Sequence, residues 1–150
     1  NPFFSWLPIV KLKGERLLLQ KEFQEEDIYH STYTLIPTEE SVWLGSNYNL
    51  KETHCDPTES EKCAQLSFAQ NVYRGKLNLL DHSVGIRAAT RDRRPILGRH
   101  PRYKQLMILN GLGTKGASLA PFCSEVMLNM LCSNLEIPDE INIKRFVKLT

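Results

Sequence analysis

No apolar run in this chain approaches the length needed to cross a bilayer, and no signal peptide is visible, so no membrane partner is expected. Excess charge of one sign is also lacking. Nineteen Lys and Arg against 17 Asp and Glu leave a net charge of +2, which argues for no bulk partner. Cysteine is sparse and unpatterned: the four stand at 55, 63, 123 and 132, none in C-x-x-C and none at zinc-finger spacing from a histidine. They read as reduced thiols of a cytoplasmic protein, with Cys123 and Cys132 inside a helical apolar pattern. His30, His54, His82 and His100 are scattered, so no metal site is expected. No Cys–His or Ser–His–Asp arrangement points to covalent catalysis. Repeats and low-complexity tracts are absent. So is an initial Met: Asn1-Pro2-Phe3-Phe4-Ser5-Trp6-Leu7-Pro8 is apolar at once and reads as the interior of a longer protein. A processed N-terminus is the alternative.

What is present is an ordinary globular composition over 150 residues, enough for one core. Residues 9–20 alternate and then run Leu17-Leu18-Leu19, which predicts a long strand with Gly14 as a bulge or bend. Segments 29–36 and 42–49 are rich in β-formers around the turn Pro37-Thr38-Glu39-Glu40-Ser41, and predict a hairpin. Thr58-x-x-Glu61 is a capping-box signature for a helix to about residue 73, with Leu66, Ala69 and Val72 or Tyr73 facing a sheet. Strands are expected at 81–90 and 105–109, and a helix over 117–131 burying Leu119, Phe122, Val126, Met127 and Met130. Pro121 is expected in that helix's first turn. Residues 141–147 are a last strand or an extended tail. The fold class is α+β: a mixed, mainly antiparallel sheet with flanking helices.

Two segments carry chemistry. Gly111-Leu112-Gly113-Thr114-Lys115-Gly116 fits G-x-G-x-x-G between an apolar strand and a helix. A Rossmann phosphate loop is rejected, because only 34 residues follow Gly116 and residues 135–143 contain a proline and too few apolar residues for a second buried parallel strand. An ordinary tight strand–helix turn remains the simple alternative. The second segment, residues 85–104, holds Arg87, Arg91, Arg93, Arg94, Arg99, Arg102 and Lys104 against the single acid Asp92. Its aromatics are too sparse for a strong nucleic-acid surface, and nucleic acid is not expected as a partner. Asp92 and Pro95 fit a structural turn.

Gly85-Ile86-Arg87-Ala88-Ala89-Thr90-Arg91-Asp92-Arg93-Arg94-Pro95-Ile96-Leu97-Gly98, followed by the glycine loop and Ala117-Ser118-Leu119-Ala120-Pro121, resembles the C-terminal third of the D-amino-acid oxidase superfamily, nearest its glycine oxidase and sarcosine oxidase branch. That family's first motif reads roughly G-x-R-P-x-T-x-D-x-x-P-x-x-G, and this chain departs from it at Ala88. The resemblance implies FAD as cofactor and oxidation of an amine or amino acid by hydride transfer. It implies that Gly111, Leu112, Gly113, Thr114, Lys115 and Gly116 face the flavin, with the helix N-terminus stabilising negative charge on the reduced ring. Lys115 becomes the candidate catalytic residue, with a solvated lysine as the alternative. Arg87 would clamp a substrate carboxylate.

Lys13-Gly14-Glu15, Leu35-Ile36-Pro37 and Leu44-Gly45-Ser46-Asn47-Tyr48 resemble the family's substrate domain more loosely. Tyr48, with Tyr33 or Trp43, would then line a substrate pocket. Residues 1–104 would be the substrate-binding portion, and 105–150 a re-entrant strand, helix and tail of the flavin domain. The family's N-terminal FAD-binding unit, which this chain lacks at its start, becomes the implied partner. A tRNA-modifying FAD oxidoreductase of the same superfamily and a non-catalytic remnant of the fold remain as alternatives.

Overall fold

The computed structural model describes residues 2–21, 26–52, 54–73 and 76–149. The chain forms two compact units, one of Leu12–Ile86 and one of Asn1–Lys11 with Arg87–Thr150.

The first unit is built on a five-stranded sheet of β1 (Ile9–Gln20), β2 (Tyr29–His30), β3 (Thr34–Pro37), β4 (Ser41–Gly45) and β5 (Leu79–Thr90), in the order β2-β3-β4-β1-β5. The β2–β3, β3–β4 and β4–β1 pairings are antiparallel. The sheet and its covering helix α1 (Glu59–Val72) follow the expected α+β layout. Strand alternation sends Leu17, Leu19, Leu35, Val42 and Leu44 to one face, where they meet Ala69 and Tyr73 with Leu66 and Val72 beside them.

Four expectations are corrected here. Segment 29–36 is not one strand: it folds back at Ser31–Tyr33, where the Ser31 N–H donates to the Tyr33 carbonyl at 2.9 Å, to give β2 and β3. Segment 42–49 ends as a strand at Gly45. Gly14 makes no bulge in β1, because the irregularity falls opposite it. Lys13 bridges Asn49 while Arg16 pairs with Gly45, so β1 is one residue shorter than the segment facing it. The Asn47 side chain fills the gap by accepting the Glu15 N–H at 2.8 Å. Finally, no capping box forms. The Thr58 N–H and hydroxyl both donate to the Glu15 carboxylate, at 2.7 and 3.0 Å, and Glu61 accepts from Gln65 at 3.0 Å.

Glu15 therefore does the work expected of a local cap. Its carboxylate is fully buried and also meets Lys13 Nζ at 3.1 Å and His82 Nε2 at 3.0 Å. Lys13 is equally buried and reaches Glu52 at 3.0 Å and the Asp56 carbonyl at 2.8 Å. Burial opposes the charge on Glu15, but the Thr58 and Lys13 hydrogen bonds outweigh it and hold the carboxyl below its ordinary value. Burial likewise opposes the charge on Lys13, and Glu52 and Glu15 outweigh it, holding the ammonium above its ordinary value.

The second unit pairs β6 (Ile96–Arg99) antiparallel with β7 (Met107–Asn110) and adds helix α2 (Gly116–Cys132). Alternation covers both faces of the pair. Leu97 and Leu109 pack with Cys123, Val126, Met127 and Met130, whereas Ile96 and Ile108 pack with Leu7, Ile143 and Phe146. Phe122, expected in the core, is exposed, and Cys123 is the buried residue on that turn. Pro121 is the sixth helical residue rather than a first-turn one. Residues 141–147 form neither a strand nor an extended tail: Ile143–Leu149 is a 3-10 helix, and only Asn142 bridges Leu97.

Replacing Glu15 by Ala leaves a buried ammonium partly unpaired and releases the N-terminus of α1. Denaturant titration is expected to show a loss of about 3–5 kcal/mol. Glu15 has a depressed folded pKa, so its contribution is complete above the ordinary value of 4.5 and fades as pH falls through the folded value. Lys13 has a raised one, so its contribution is complete below 10.5 and fades as pH rises through the folded value. The parent's stability is expected to fall at both extremes, with a flatter acid limb in Glu15→Ala.

Candidate functional site

The two sequence motifs meet in the second unit. Gly113 donates its N–H to the Ala88 carbonyl at 3.1 Å, and Ala89 forms an antiparallel bridge with Leu112. The glycine loop is thereby clasped to the end of β5, one residue beyond Arg87. The next residues lock the turn. Thr90 Oγ1 donates to the Arg94 carbonyl at 2.7 Å and accepts the Arg94 N–H at 3.0 Å. Asp92 accepts from the same N–H at 3.2 Å and pairs with Arg145 Nε at 3.1 Å. Burial opposes that carboxylate, yet the Thr90, Arg94 and Arg145 contacts hold its pKa below the ordinary value. Asp92 is thus a structural turn residue, as its sequence context suggests.

Two glycines in the loop are required by backbone geometry. Gly111 lies at φ +72°, and a Cβ there would come within 2.8 Å of Thr90 Cγ2. Gly113 lies at φ +56°, where a Cβ would meet only Ala89 Cβ at 3.7 Å. After Gly113 the chain turns, with the Lys115 N–H donating to the Leu112 carbonyl at 3.1 Å, and enters α2 at Gly116. No side chain caps this end. The N–H groups of Gly116, Ala117 and Ser118 therefore have no acceptor within the helix and carry its positive end. Lys115 is the N-cap residue and is exposed, as is Thr114. Such a surface, free of bulk and rich in donors, suits the edge of a planar ring on which negative charge develops. The residues present therefore fit a flavin edge.

The remaining predicted residues belong to different elements. Arg87 is half-buried on β5, and Tyr48 is exposed beyond β4 in the first unit. Tyr33 turns toward α1: its ring meets Phe68 edge-on at 5.4 Å. Burial and a hydrogen bond to Glu61 push its phenol up to about 12. Trp43 lies on the other side of the sheet, beneath the Arg16 guanidinium at 4.2 Å from the ring centroid. Arg16 and the Glu15 cluster were missed in the sequence. The available signal was parity: Lys13 and Glu15 fall in step with Leu17 and Leu19, so two charges occupy the buried face, and Arg16 occupies the other. Among the described residues no group of three or more His, Cys, Asp or Glu is arranged to hold a metal, and no helix is long and apolar enough to cross a membrane.

The profile of the DAO family, described as FAD dependent oxidoreductase, matches residues 2–130. Iminodiacetate oxidase from Chelativorans sp. BNC1 superimposes with a TM-score of 0.76 at 23% identity, over 93% of this chain and 40% of that one. Glycine oxidase from Bacillus cereus ATCC 14579 gives 0.75 at 15% identity, over 90% and 39%. A curated relative, the tRNA 5-methylaminomethyl-2-thiouridine biosynthesis bifunctional protein MnmC of Shewanella sp. (strain W3-18-1), is 29% identical over 135 residues, 66% of this chain and 20% of its own length. The chain thus spans about two fifths of these solved chains and a fifth of the curated relative.

The glycine geometry predicts unequal penalties. Gly111→Ala combines a positive φ with a 2.8 Å clash, whereas Gly113→Ala meets only ordinary contact. Urea unfolding is expected to give a loss of about 1–2 kcal/mol for Gly113→Ala and more for Gly111→Ala. Equal losses would show that the Thr90 contact does not constrain the loop.

Proposed function

The chain belongs to the DAO family of FAD-dependent oxidoreductases, and from that premise we propose that it is part of an enzyme oxidising the C–N bond of an amine or amino acid. The clasp between β5 and the glycine loop carries this reading. It joins the strand bearing Arg87 to the uncapped end of α2, a carboxylate-binding side chain to a set of anion-stabilising donors. When bound, FAD supplies the acceptor for the hydride that leaves the substrate's α carbon. The Gly111–Gly116 loop and the α2 N–H groups would hold the negative charge that arrives with it, and Lys115 would add a cation as the catalytic residue. Arg87 binds the substrate carboxylate through its planar fork and so orients the C–H bond. Tyr48 is proposed as a further substrate-binding side chain; its ring is exposed.

Residues 1–104 are assigned to substrate binding and 105–150 to the flavin side. The remaining FAD contacts are assigned to an N-terminal unit of the same protein. Exposed Pro121, Leu128 and Leu131, at i, i+7 and i+10 on α2, support a covering partner. Four free cysteines support a reducing, cytoplasmic setting. The second reading, tRNA modification, draws on the name of the Shewanella relative and on the exposed Arg91, Arg93, Arg94, Arg99, Arg102 and Lys104. Salt-dependent tRNA binding by the chain would favour it.

Purified alone, the 150-residue chain is expected to leave gel filtration without stoichiometric FAD, because one ring edge cannot offset the ordering of a large cofactor. Flavin absorbance comigrating with it would overturn the assignment of the other contacts. In the flavin-loaded enzyme, Arg87→Ala is expected to lower kcat/KM for carboxylate-bearing amines by one to two orders of magnitude, about 1.5–3 kcal/mol, at unchanged flavin content. Lys should restore only part of the loss. Equal losses on decarboxylated amines would make Arg87 structural.

A further inference from the structure

We propose that the face of the five-stranded sheet opposite α1 carries a second anion site, built on Arg16, Trp43 and Ser83, that takes a carboxylate on a short aliphatic stem. All three residues lie within the unit of Leu12–Ile86. Alternation puts Arg16 out of step with Lys13, Glu15, Leu17 and Leu19, and Trp43 out of step with Val42 and Leu44, so both leave the α1 side. The register brings them together: Leu18 pairs with Trp43, and Arg16 pairs with Gly45. The guanidinium carbon stands 4.2 Å from the Trp43 ring centroid, and Arg16 Nε donates to Ser83 Oγ at 3.0 Å.

These two contacts fix the plane of the guanidinium without using its terminal nitrogens. Ser83 accepts from Nε, so its own hydroxyl proton is left to donate alongside them. Arg16 has no ion-pair partner among the described residues. The contrast is Arg145, whose Nε pairs with Asp92 while its terminal nitrogens donate to the Asn142 and Arg94 carbonyls. Arg16 is therefore an oriented cation with its fork open, next to a hydroxyl donor.

Space lies beside it. Gly45, opposite Arg16, has no side chain, and a Cβ there would press on Arg16 Cα at 3.0 Å. Gly85 falls in step with Ser83, and a Cβ there would meet nothing within 4 Å. Ile36, paired with Trp43 and exposed, adds an apolar wall. One guanidinium and one hydroxyl balance a single negative charge, which fits a carboxylate better than a phosphate dianion. That this carboxylate is an acidic group of the amine substrate rests on the function proposed above.

The experiment is a titration of the whole chain with butyrate, read by tryptophan fluorescence in a Trp6→Phe background so that Trp43 reports alone. Saturable quenching is expected, weakened about ten- to a hundredfold by Arg16→Met and less by Arg16→Lys. Ser83→Ala, which keeps the charge and loses the hydroxyl, should weaken it severalfold. Arg16 is exposed, so unchanged thermal midpoints are expected for its variants. Absence of saturable quenching in the parent, equal affinity in a folded Arg16→Met, or stronger binding of inorganic phosphate than of butyrate would each overturn the proposal. The titration needs no flavin. It can fail while amine oxidation stands, and it can succeed if amine oxidation does not.

Discussion

One buried carboxylate organises the unit of Leu12–Ile86. Glu15 receives two donors from Thr58, one ammonium from Lys13 and the ring nitrogen of His82. A charge so placed is tolerated only because every neighbour is a donor or a cation. The same contacts bind β1 to the start of α1 and to β5, three elements remote in sequence. The sheet's two faces then acquire their separate roles. The side toward α1 holds the apolar core and this network, and the other side carries the exposed Arg16 and Ile36.

Along the other side the ordering logic is similar. Arg16 is fixed by stacking and by a hydrogen bond, with no ion-pair partner among the described residues. In the other unit the α2 N-terminus is likewise exposed as a set of donors, here by a loop whose glycines accept positive φ. In both places the backbone or a planar side chain is set in advance. Little reorganisation is then needed when negative charge arrives, which is the condition for efficient electrostatic stabilisation.

The motifs and most elements were legible in the sequence because they are local. The glycine loop sits between strand and helix as its spacing implies, Asp92 makes the turn that it and Pro95 suggest, and α2 starts one residue from the expected position. The errors arose where a distant partner decided the outcome. Thr58 and Glu61 satisfy the capping-box pattern, yet a buried carboxylate from β1 competes for the Thr58 donors and wins. Phe122 and Cys123 are both acceptable apolar residues for one helix turn, and only the position of Leu97 and Ile137 selects the smaller one for the core.

What the sequence by itself determined is the set of backbone options: where glycine permits positive φ, where alternation splits a strand into two faces, and where a helix can begin. Those follow from sterics and period, which act over a few residues. Only the tertiary structure decided which charges are buried together and which arginine keeps its fork open. Lys13, Glu15, Thr58 and His82, or Arg16, Trp43 and Ser83, become neighbours through strand pairing across tens of residues. Their electrostatics depend on burial and distance, and neither quantity exists until the sheet has formed.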